Sequence, residues 1–308
     1  MSNSQKFIHH IRNDEIDLKL WDKTILSSVN ASVYPLSWYL NITCPQWEAL
    51  ISEDYRTVLP LPVFRRYILR VIIQPPFTWQ LGIFSYDIMN ETLSEEILNQ
   101  IPSSYRIKSY YFNKFNKLPV HLSQQTKKYT TELELISSYI KIRANYSADA
   151  TGKISLANQN MISIIKNIST HHFLEFICRF DSFNSSRIKP SGLFMLRQII
   201  SNSLRYRMGE IHGAYSRENN LCATIFFIRF KGRQIIHYAA ADDEGIKYGA
   251  LYLILDKVIS ENAGKNLILC LDNPSSQYLI SLFKDFGAKF YPFISVKKKI
   301  FSFRKLGA

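Results

Sequence analysis

The sequence has little cysteine, and what it has is arranged without a pattern. Its 308 residues include four cysteines, Cys44, Cys178, Cys222 and Cys270, which lie far apart and form no CxxC pair. A zinc knuckle or a redox pair is therefore not expected, and the cysteines are interpreted as buried free thiols. The adjacent histidine pairs at 9–10 and 171–172 are poor metal ligands, because neighbouring side chains diverge on strands and helices. We expect no metal site.

Long apolar runs are also missing. A membrane-spanning helix requires about 18 to 20 consecutive apolar residues, and the sequence contains no such run. The first 21 residues carry charged or polar side chains throughout and lack the apolar centre of a secretory signal. We therefore expect a cytoplasmic protein without a transmembrane segment.

Acidic residues are scarce relative to basic ones. The chain has 38 lysines and arginines against 25 aspartates and glutamates, which gives a formal net charge of +13. Such an excess suggests a polyanionic partner, such as nucleic acid, a phosphorylated cofactor or an anionic membrane surface. An alternative is that the lysines are spread over solvated faces and have no partner.

The clearest pattern in the sequence lies between Gln234 and Tyr291. β-Forming and apolar residues predict strands over 234–240 and 267–271, and apolar spacing predicts a helix over 248–262. Asn273 is a plausible N-cap for a second helix, with Pro274 at its first position and Gly287 after its end. Alternating strands and helices indicate an α/β layer, whose ligand crevice normally lies at the carboxyl ends of the strands.

Both halves of the chain show antiparallel hairpins followed by strand, helix and strand. The sequence therefore predicts an α/β (α+β) fold with two related domains, residues 1–128 and residues 129–292. A last segment, 293–308, alternates apolar and basic residues, and as a strand it can return to the first domain. Three further segments are predicted in the second half: amphipathic helices over 155–168 and 193–205, and a loop over 181–191.

Three segments of the second half carry a family resemblance. They are AYSRENNLCATIFFIRFKGRQIIHYAAAD, YGALYLILDKVISENAGKN and LFKDFGAKFY, and the most specific element within them is formed by Phe283, Lys284, Phe286 and Gly287. These segments resemble the FemAB branch of the GNAT acyltransferase superfamily. The first half, with WYLN, DYRTVLPLPV and QPPFTWQLGIFS, is similar to uncharacterised FemAB-like proteins. The resemblance implies two tandem GNAT-like domains, each a mixed, mostly antiparallel sheet flanked by helices.

The resemblance also implies a reaction, the transfer of an acyl or aminoacyl group to an amine. In FemAB proteins the donor is a charged tRNA and the acceptor is an amine on a cell-wall precursor. GNAT enzymes that use acetyl-CoA hold its pyrophosphate on a glycine loop whose spacing the segment from Gly245 to Ala250 does not reproduce. We therefore expect no tightly bound cofactor, and a donor that is aminoacyl-tRNA or acyl-CoA. The expected partners are an amine-bearing small molecule or peptide precursor and charged tRNA, although the helical arm that some FemAB members use to engage tRNA is missing.

Three residues are candidates for catalysis. Lys284 could place its ammonium at the developing oxyanion or at a substrate phosphate, and otherwise it is a solvated helix lysine. His237 and Tyr238 could relay a proton from the strand that leads into the crevice, and otherwise they are packed strand residues.

Substrate binding is expected mainly where strands end. Asp243, with its acidic neighbours Asp242 and Glu244, could orient the amine, although an acidic turn that caps a helix explains these residues equally well. The other candidates in this half are Tyr215, Tyr248, Gly249 and Asn273, each of which could instead serve packing or capping. In the first half, Arg65 and Arg66 could hold phosphates of a nucleotide-linked precursor.

Two other functions remain open from the sequence. The first is a catalytically silent GNAT-fold module that binds a nucleotide-linked ligand or RNA, which the altered glycine loop favours. The second is general nucleic-acid binding through the basic charge, which would weaken steeply with salt.

Overall fold

The computed structural model describes residues 8–66, 69–119, 125–180 and 188–297. These residues divide into two compact units. The first unit contains the described residues up to Lys128 together with those from Pro292 onward, and the second unit is Tyr129–Tyr291.

The secondary-structure elements are numbered along the chain. The strands are β1 (Ile8–Arg12), β2 (Glu48–Ser52), β3 (Thr57–Leu61), β4 (Val63–Arg66), β5 (Leu69–Ile73), β6 (Phe84–Ser85), β7 (Tyr105–Tyr111), β8 (Gln125–Glu134), β9 (Ser163–Lys166), β10 (Gly209–Tyr215), β11 (Leu221–Phe230), β12 (Arg233–Ala241), β13 (Ile268–Leu271) and β14 (Lys289–Val296). The helices are α1 (Leu18–Ser27), α2 (Ser37–Thr43), α3 (Glu91–Leu98), α4 (Tyr139–Arg143), α5 (Ala148–Gln159), α6 (Thr170–Arg179), α7 (Pro190–Arg205), α8 (Asp243–Tyr248), α9 (Ala250–Asn262) and α10 (Gln277–Asp285).

The first unit contains two sets of paired strands. Strands β1, β2, β3 and β6 form an antiparallel sheet in that order. Strands β4 and β5 pair antiparallel, β5 runs parallel to β7, and β7 pairs antiparallel with β14 through Tyr111 and Ser295. The core includes the tilted ring pair of Trp21 on α1 and Trp47 before β2, whose centroids lie 4.7 Å apart.

The second unit is built on a single sheet with the strand order β8, β13, β12, β11, β10, β9. Only the β12–β13 pair in this sheet is parallel. Phe227 of β11 belongs to the core that includes α5, α9 and α10, whereas the ring of its neighbour Phe226 lies 6.2 Å from Phe173 of α6. Because successive strand residues point to opposite faces, helices cover the sheet on both sides. The predicted fold class, mixed and mostly antiparallel sheets with flanking helices, is confirmed.

The long helix after β12 is confirmed, with a later start than predicted. Its buried face includes Leu251, Ile254 and Val258, at the spacing that places side chains on one stripe. The prediction began this helix at Tyr248, but Gly249 has a φ of +74°, which ends α8 and separates it from α9. The left-handed backbone there is readily adopted only by glycine.

Two other predictions of helix boundaries are wrong. The segment 155–168 is not one helix, because α5 ends at Gln159, Met161 turns the chain with a φ of +55°, and β9 follows. Asn273 is not an N-cap. Its side chain accepts a hydrogen bond from the Ser275 backbone N–H at 2.9 Å, a local turn that competes with helix initiation, and Ser276 caps α10 instead.

Two predicted segments lie partly outside the described residues. Of the predicted loop over 181–191, residues 181–187 are not described, and α7 begins at Pro190. Of the predicted last strand, β14 covers the part up to Val296, and residues 298–308 are not described. The predicted helix over 193–205 is confirmed within α7.

Candidate functional site

A cavity of about 580 Å³ lies where β12 ends, and we call it the acidic cavity. Its walls come from α6, from the end of β10, from the turn between β10 and β11, and from the residues that follow β12. The lining residues are His172, Glu175, Phe176, Arg179, Phe180, Tyr215, Asn219, Asn220, Leu221, Asp242 and Glu244. The volume lies within the range of about 300 to 1,000 Å³ typical of small-molecule sites.

Asp242 is fixed by its place at the start of α8. Its Oδ1 accepts a hydrogen bond from the Gly245 backbone N–H at 2.8 Å, so the carboxylate caps the helix. Burial raises the pKa of Asp242 and so does the neighbouring charge of Asp243, while the hydrogen bond from Gly245 opposes the shift. A carboxylate with a raised pKa is a better proton acceptor than an ordinary aspartate.

The acidic cavity carries an excess of negative charge. Three carboxylates line it, those of Glu175, Asp242 and Glu244, against the single guanidinium of Arg179. Arg179 is already paired, since its Nη2 donates to Glu175 Oε1 at 2.6 Å. The charges of Asp242 and Glu244 therefore remain to attract a cation, and they contribute, after burial, to raising the pKa of the nearby Cys222 thiol to about 12.

The rest of the wall is aromatic and amide-rich. The rings of Phe176 and Phe180 lie 5.0 Å apart and form an apolar side. Tyr215 lines the cavity at the end of β10, and burial raises the pKa of its phenol, which keeps the hydroxyl protonated as a donor. Carboxylates beside aromatic rings form an environment that suits an ammonium group attached to an organic body.

The strands beside the cavity separate as they approach it. The parallel ladder between β12 and β13 ends at Ile235 and Cys270, while β12 continues to Ala241. On its other side β12 contains a bulge, because Ile236 opposes Phe227 and Tyr238 opposes Phe226, which makes His237 the extra residue. Bulges are frequent next to active sites, where they change the direction of side chains.

The bulge places His237 and Tyr238 in the core. The His237 ring lies 5.3 Å from the Phe226 ring, and the Tyr238 ring lies 6.2 Å from the Phe173 ring. Burial lowers the pKa of His237 to about 3, so its imidazole is neutral at ordinary pH. Neither side chain lines the acidic cavity, and the proton relay predicted for them stays a prediction.

Tyr215 is the predicted site residue that the structure places in the cavity, together with Asp242 and Glu244. Asp243 is exposed on the first turn of α8, and Tyr248 lies under the Lys247 ammonium, 4.9 Å from its ring centroid. Gly249 packs against Lys153 of α5, where a Cβ would meet the Lys153 carbonyl oxygen at 2.9 Å. These three residues and Asn273 are absent from the cavity lining, and their predicted roles in substrate binding stay predictions.

Lys284 is exposed on the last turn of α10. Its side chain does not line the acidic cavity, and it forms no salt bridge with any residue that the structure describes. The role in catalysis that the resemblance implies for Lys284 therefore stays a prediction.

The arginines predicted to hold phosphates lie in the first unit. Arg65 has its Nη2 3.8 Å from Oε1 of Glu48, a buried carboxylate. The other carboxylate oxygen of Glu48 accepts a hydrogen bond from the Tyr105 hydroxyl at 2.5 Å and lies 2.6 Å from His10 Nε2. The Arg65 guanidinium therefore points toward the buried carboxylate of Glu48. The side chain of Arg66 lies outside the described residues.

The residues contributed by α6 were missed by the sequence reasoning. Glu175, Phe176 and Arg179 come from a helix that was not predicted, although Ser169 is a proper N-cap that accepts from the His172 backbone N–H at 3.1 Å. Phe173, Phe176 and Ile177 are buried at three- and four-residue spacings, the signal by which this helix could have been found.

Within the described ranges, no group of three or more His, Cys, Asp or Glu side chains could hold a metal ion. No helix among those same residues combines the length and the apolar character needed to cross a membrane.

Comparisons with known structures identify the fold. No family model matches the sequence, and no curated protein matches it. The structure of FemX matches with a TM-score of 0.61 at 10% identity, covering 93% of this chain and 96% of FemX. A tandem GNAT protein from the clavulanic acid biosynthesis pathway matches with a TM-score of 0.53 at 10% identity, covering 95% and 99% of the two chains.

A third match is the C-terminal domain of a putative lysylphosphatidylglycerol synthetase from Agrobacterium fabrum. Its TM-score is 0.52 at 11% identity, and 92% of each chain is covered. The matches extend over nearly the whole of both chains in all three cases. The tandem GNAT-like fold, which the sequence resemblance implied, is thereby confirmed as the fold of this protein.

Proposed function

We propose that the protein transfers an acyl or aminoacyl group to an amine, and that the acidic cavity holds the amine. The observation that carries the proposal is the cluster of Asp242, Glu244 and Tyr215 where β12 ends. In α/β sheets this edge is the usual place for a ligand. The tandem GNAT-like fold supports acyl transfer as the reaction class. It does not identify the substrate, because one fold hosts many functions.

The charges of the cavity support an amine as the acceptor. An amine arrives at neutral pH as ammonium, and Asp242 and Glu244 attract it. The amine must then lose a proton to become a nucleophile, and Asp242, whose pKa is raised, is placed to accept it. The Tyr215 hydroxyl is a donor that can orient the acceptor or hydrogen-bond the carbonyl oxygen.

The proposed reaction needs no covalent enzyme intermediate. The neutral amine nitrogen attacks the donor carbonyl and forms a new C–N bond. The bond from that carbon to the leaving group then breaks, a C–O bond if the donor is aminoacyl-tRNA and a C–S bond if it is acyl-CoA. The leaving group takes the second proton, which the nitrogen gives up as it becomes an amide, and the first proton, lost by the ammonium before attack, passes through Asp242 to solvent.

The local structure of α8 bears on the choice of donor. Gly245 is used for close packing against Cys222, and its N–H is bonded to Asp242 rather than open to a phosphate. The first turn also carries Asp243 and Glu244, and their charges disfavour a pyrophosphate. These observations favour a donor whose phosphates are not held at this turn, which fits aminoacyl-tRNA better than acyl-CoA. The acceptor is an amine-bearing small molecule or peptide, of which a cell-wall precursor is one example.

The packing role of Gly245, which leaves no open glycine loop for an acyl-CoA donor, supports a second candidate, a silent GNAT-fold module that binds a nucleotide-linked ligand or RNA at another site without transfer. A turnover assay separates the two. The protein is incubated with charged tRNA or acyl-CoA as donor and with a panel of primary amines. Transfer is expected with at least one donor, and because a general base contributes about 100-fold or more, Asp242→Asn should lower kcat by that factor.

The matched control is Glu218→Gln. Glu218 is an exposed acid in the turn that also supplies Asn219 and Asn220, and it does not line the cavity. Asparagine is as good an N-cap as aspartate, so Asp242→Asn should leave α8 intact. If neither donor supports transfer while a nucleotide-linked ligand or RNA is retained, the silent module is the correct reading.

A further inference from the structure

A second cavity of about 370 Å³ lies at the other end of the strands that lead to the acidic cavity. Lys166 at the end of β9, Arg229 near the end of β11 and Gln234 at the start of β12 contribute to its wall, together with Asn262 at the end of α9. Since β12 begins here and ends at the acidic cavity, the two cavities occupy opposite ends of one strand. We call this one the basic cavity.

Positive charge predominates in the basic cavity. Its lining contains the cations Lys166, Arg229 and Lys265 and the carboxylates of Glu210 and Glu261. Glu261 is shared between Lys166 and a further lysine, Lys257, whose Nζ lies 3.8 Å from its Oε1. Glu210 lies 3.7 Å from Arg229 Nη2, and the hydrogen bond with His212 lowers its pKa, as does the charge of Arg229. Three cations and two carboxylates thus line the cavity, which leaves an excess of one positive charge, and Lys257 adds a further cation beside Glu261, outside the lining.

Neutral amides hold two of these cations in place. Arg229 Nη2 donates to Gln234 Oε1 at 2.8 Å and lies 3.4 Å from Asn262 Oδ1. Lys265 Nζ donates to the same Asn262 oxygen at 3.2 Å. Gln234 and Asn262 are both buried, so they orient the cations without cancelling their charge. A binding site gains affinity when its charged groups are already oriented.

The hydrogen-bond network of the cavity wall is incomplete within the described part of the chain. His212 is buried, with Nε2 3.5 Å from Glu210 Oε2, while its Nδ1 and the Nε of Arg229 have no described hydrogen-bond partner. Buried polar groups without partners are uncommon in native proteins and call for an explanation such as a ligand that completes the network.

We propose that the basic cavity binds the phosphate group of a small phosphorylated ligand. Phosphate is an anion that complements the positive excess of the lining, and a guanidinium can pair with it through two parallel hydrogen bonds. A volume of about 370 Å³ leaves room for an organic body beyond the phosphate. The site lies at the opposite end of β12 from the acidic cavity, so the proposal stands apart from the acyl-transfer reaction.

Calorimetric titration at constant ionic strength tests this site. Inorganic phosphate and a sugar phosphate are titrated separately into the full chain, in the absence of amine and acyl donor. We expect saturable binding, with the sugar phosphate bound at least tenfold more tightly if the ligand is an ester and equally if it is free phosphate. Arg229→Met and Lys265→Met should each raise the Kd at least tenfold.

Lys141→Met is the matched control, since it removes one exposed cation from α4, away from the cavity lining. It should leave the Kd unchanged. Lys265 is exposed, so its variant tests the site even if Arg229→Met does not fold. Failure of both probes to saturate, or an equal effect of all three variants, would show that only general electrostatic attraction is present and would overturn the proposal.

Discussion

Gly245 lies directly against the backbone carbonyl of Cys222. A Cβ at position 245 would stand 2.1 Å from that oxygen, well inside any real contact. The glycine therefore lets α8 rest on β11, and this contact sets the position of Asp242 and Glu244 at the acidic cavity. The sequence suggested a phosphate loop of altered spacing at this glycine, whereas the structure gives it a packing role.

The first prediction concerns this contact. Gly245→Ala should destabilise the protein by about 3 kcal/mol, because the backbone of β11 has to shift to admit the methyl group. Gly152→Ala on α5 is the control, since its Cβ would meet nothing within 4 Å. The control should be neutral or stabilising by up to about 1 kcal/mol, the difference in helix propensity. Urea unfolding measures both variants, and equal stabilities would contradict the packing role.

The buried state of His237 predicts how stability depends on pH. Its pKa is about 3 in the folded protein against an ordinary 6.5, so only the unfolded chain takes up this proton between those values. The contribution to stability is complete above pH 6.5 and is lost as the pH falls toward 3. Between pH 6.5 and 5 the loss should be about 2 kcal/mol.

His237→Gln isolates that contribution. The variant has no titrating ring at position 237, so its free energy of unfolding should fall less steeply than that of the wild type over the same pH interval. Denaturant unfolding at several pH values supplies the two slopes. Parallel slopes would mean that His237 is accessible to protons in the folded state.

Tyr105 and Glu48 give a prediction for the first unit. The Tyr105 hydroxyl donates to the buried Glu48 carboxylate, and burial together with this hydrogen bond raises the pKa of the tyrosine to about 12. Tyr105→Phe should cost about 2 kcal/mol, as expected for a hydrogen bond to a charged group. Tyr129→Phe, at a half-exposed tyrosine, should cost less than about 0.5 kcal/mol, as most surface substitutions do. Chemical denaturation measures the free energy of unfolding of both variants. Similar losses would show that the hydrogen bond from Tyr105 to Glu48 does not stabilise the protein.

Much of the second unit could be predicted from the sequence because its patterns are regular. The buried stripe of α9 and the apolar run of β13 gave the correct element types. The failures came where a local backbone conformation or a local polar group decides where a helix begins or ends. The helix predicted over 155–168 ends early because Met161 adopts a left-handed backbone, and Asn273 forms a turn of its own instead of capping α10. Sequence periodicity does not encode such choices.

The candidate site was less accessible to sequence reasoning than the fold. Tyr215, Asp242 and Glu244 follow from the rule that ligands bind where strands end. The bulge at His237 was not predictable, because β11 and β12 are buried on both faces and their apolar residues carry no alternation. The contribution of α6 requires tertiary packing, which brings residues about 40 to 70 positions apart in the sequence to one cavity.

The family resemblance and the assignment of the acidic cavity predict different outcomes when Lys284 is substituted. The resemblance implies that Lys284→Met abolishes transfer. The side chain is exposed and absent from the lining of the acidic cavity, so the cavity account predicts that the variant retains transfer within about twofold of the wild type, as for a surface residue outside the site. Steady-state kinetics with one donor and one amine decides this. A loss of kcat without a change in thermal stability would restore Lys284 to the mechanism.

The most direct measurement of the central claim is the affinity for the amine itself, determined by calorimetry without an acyl donor. The account predicts that Asp242→Asn combined with Glu244→Gln raises the Kd of the amine at least tenfold, since each removes a charge from the acidic cavity. Glu218→Gln, which removes an exposed charge beside the cavity, should leave the Kd as it is in the wild type. Equal affinity in all three proteins would contradict the assignment of the acidic cavity as the amine site.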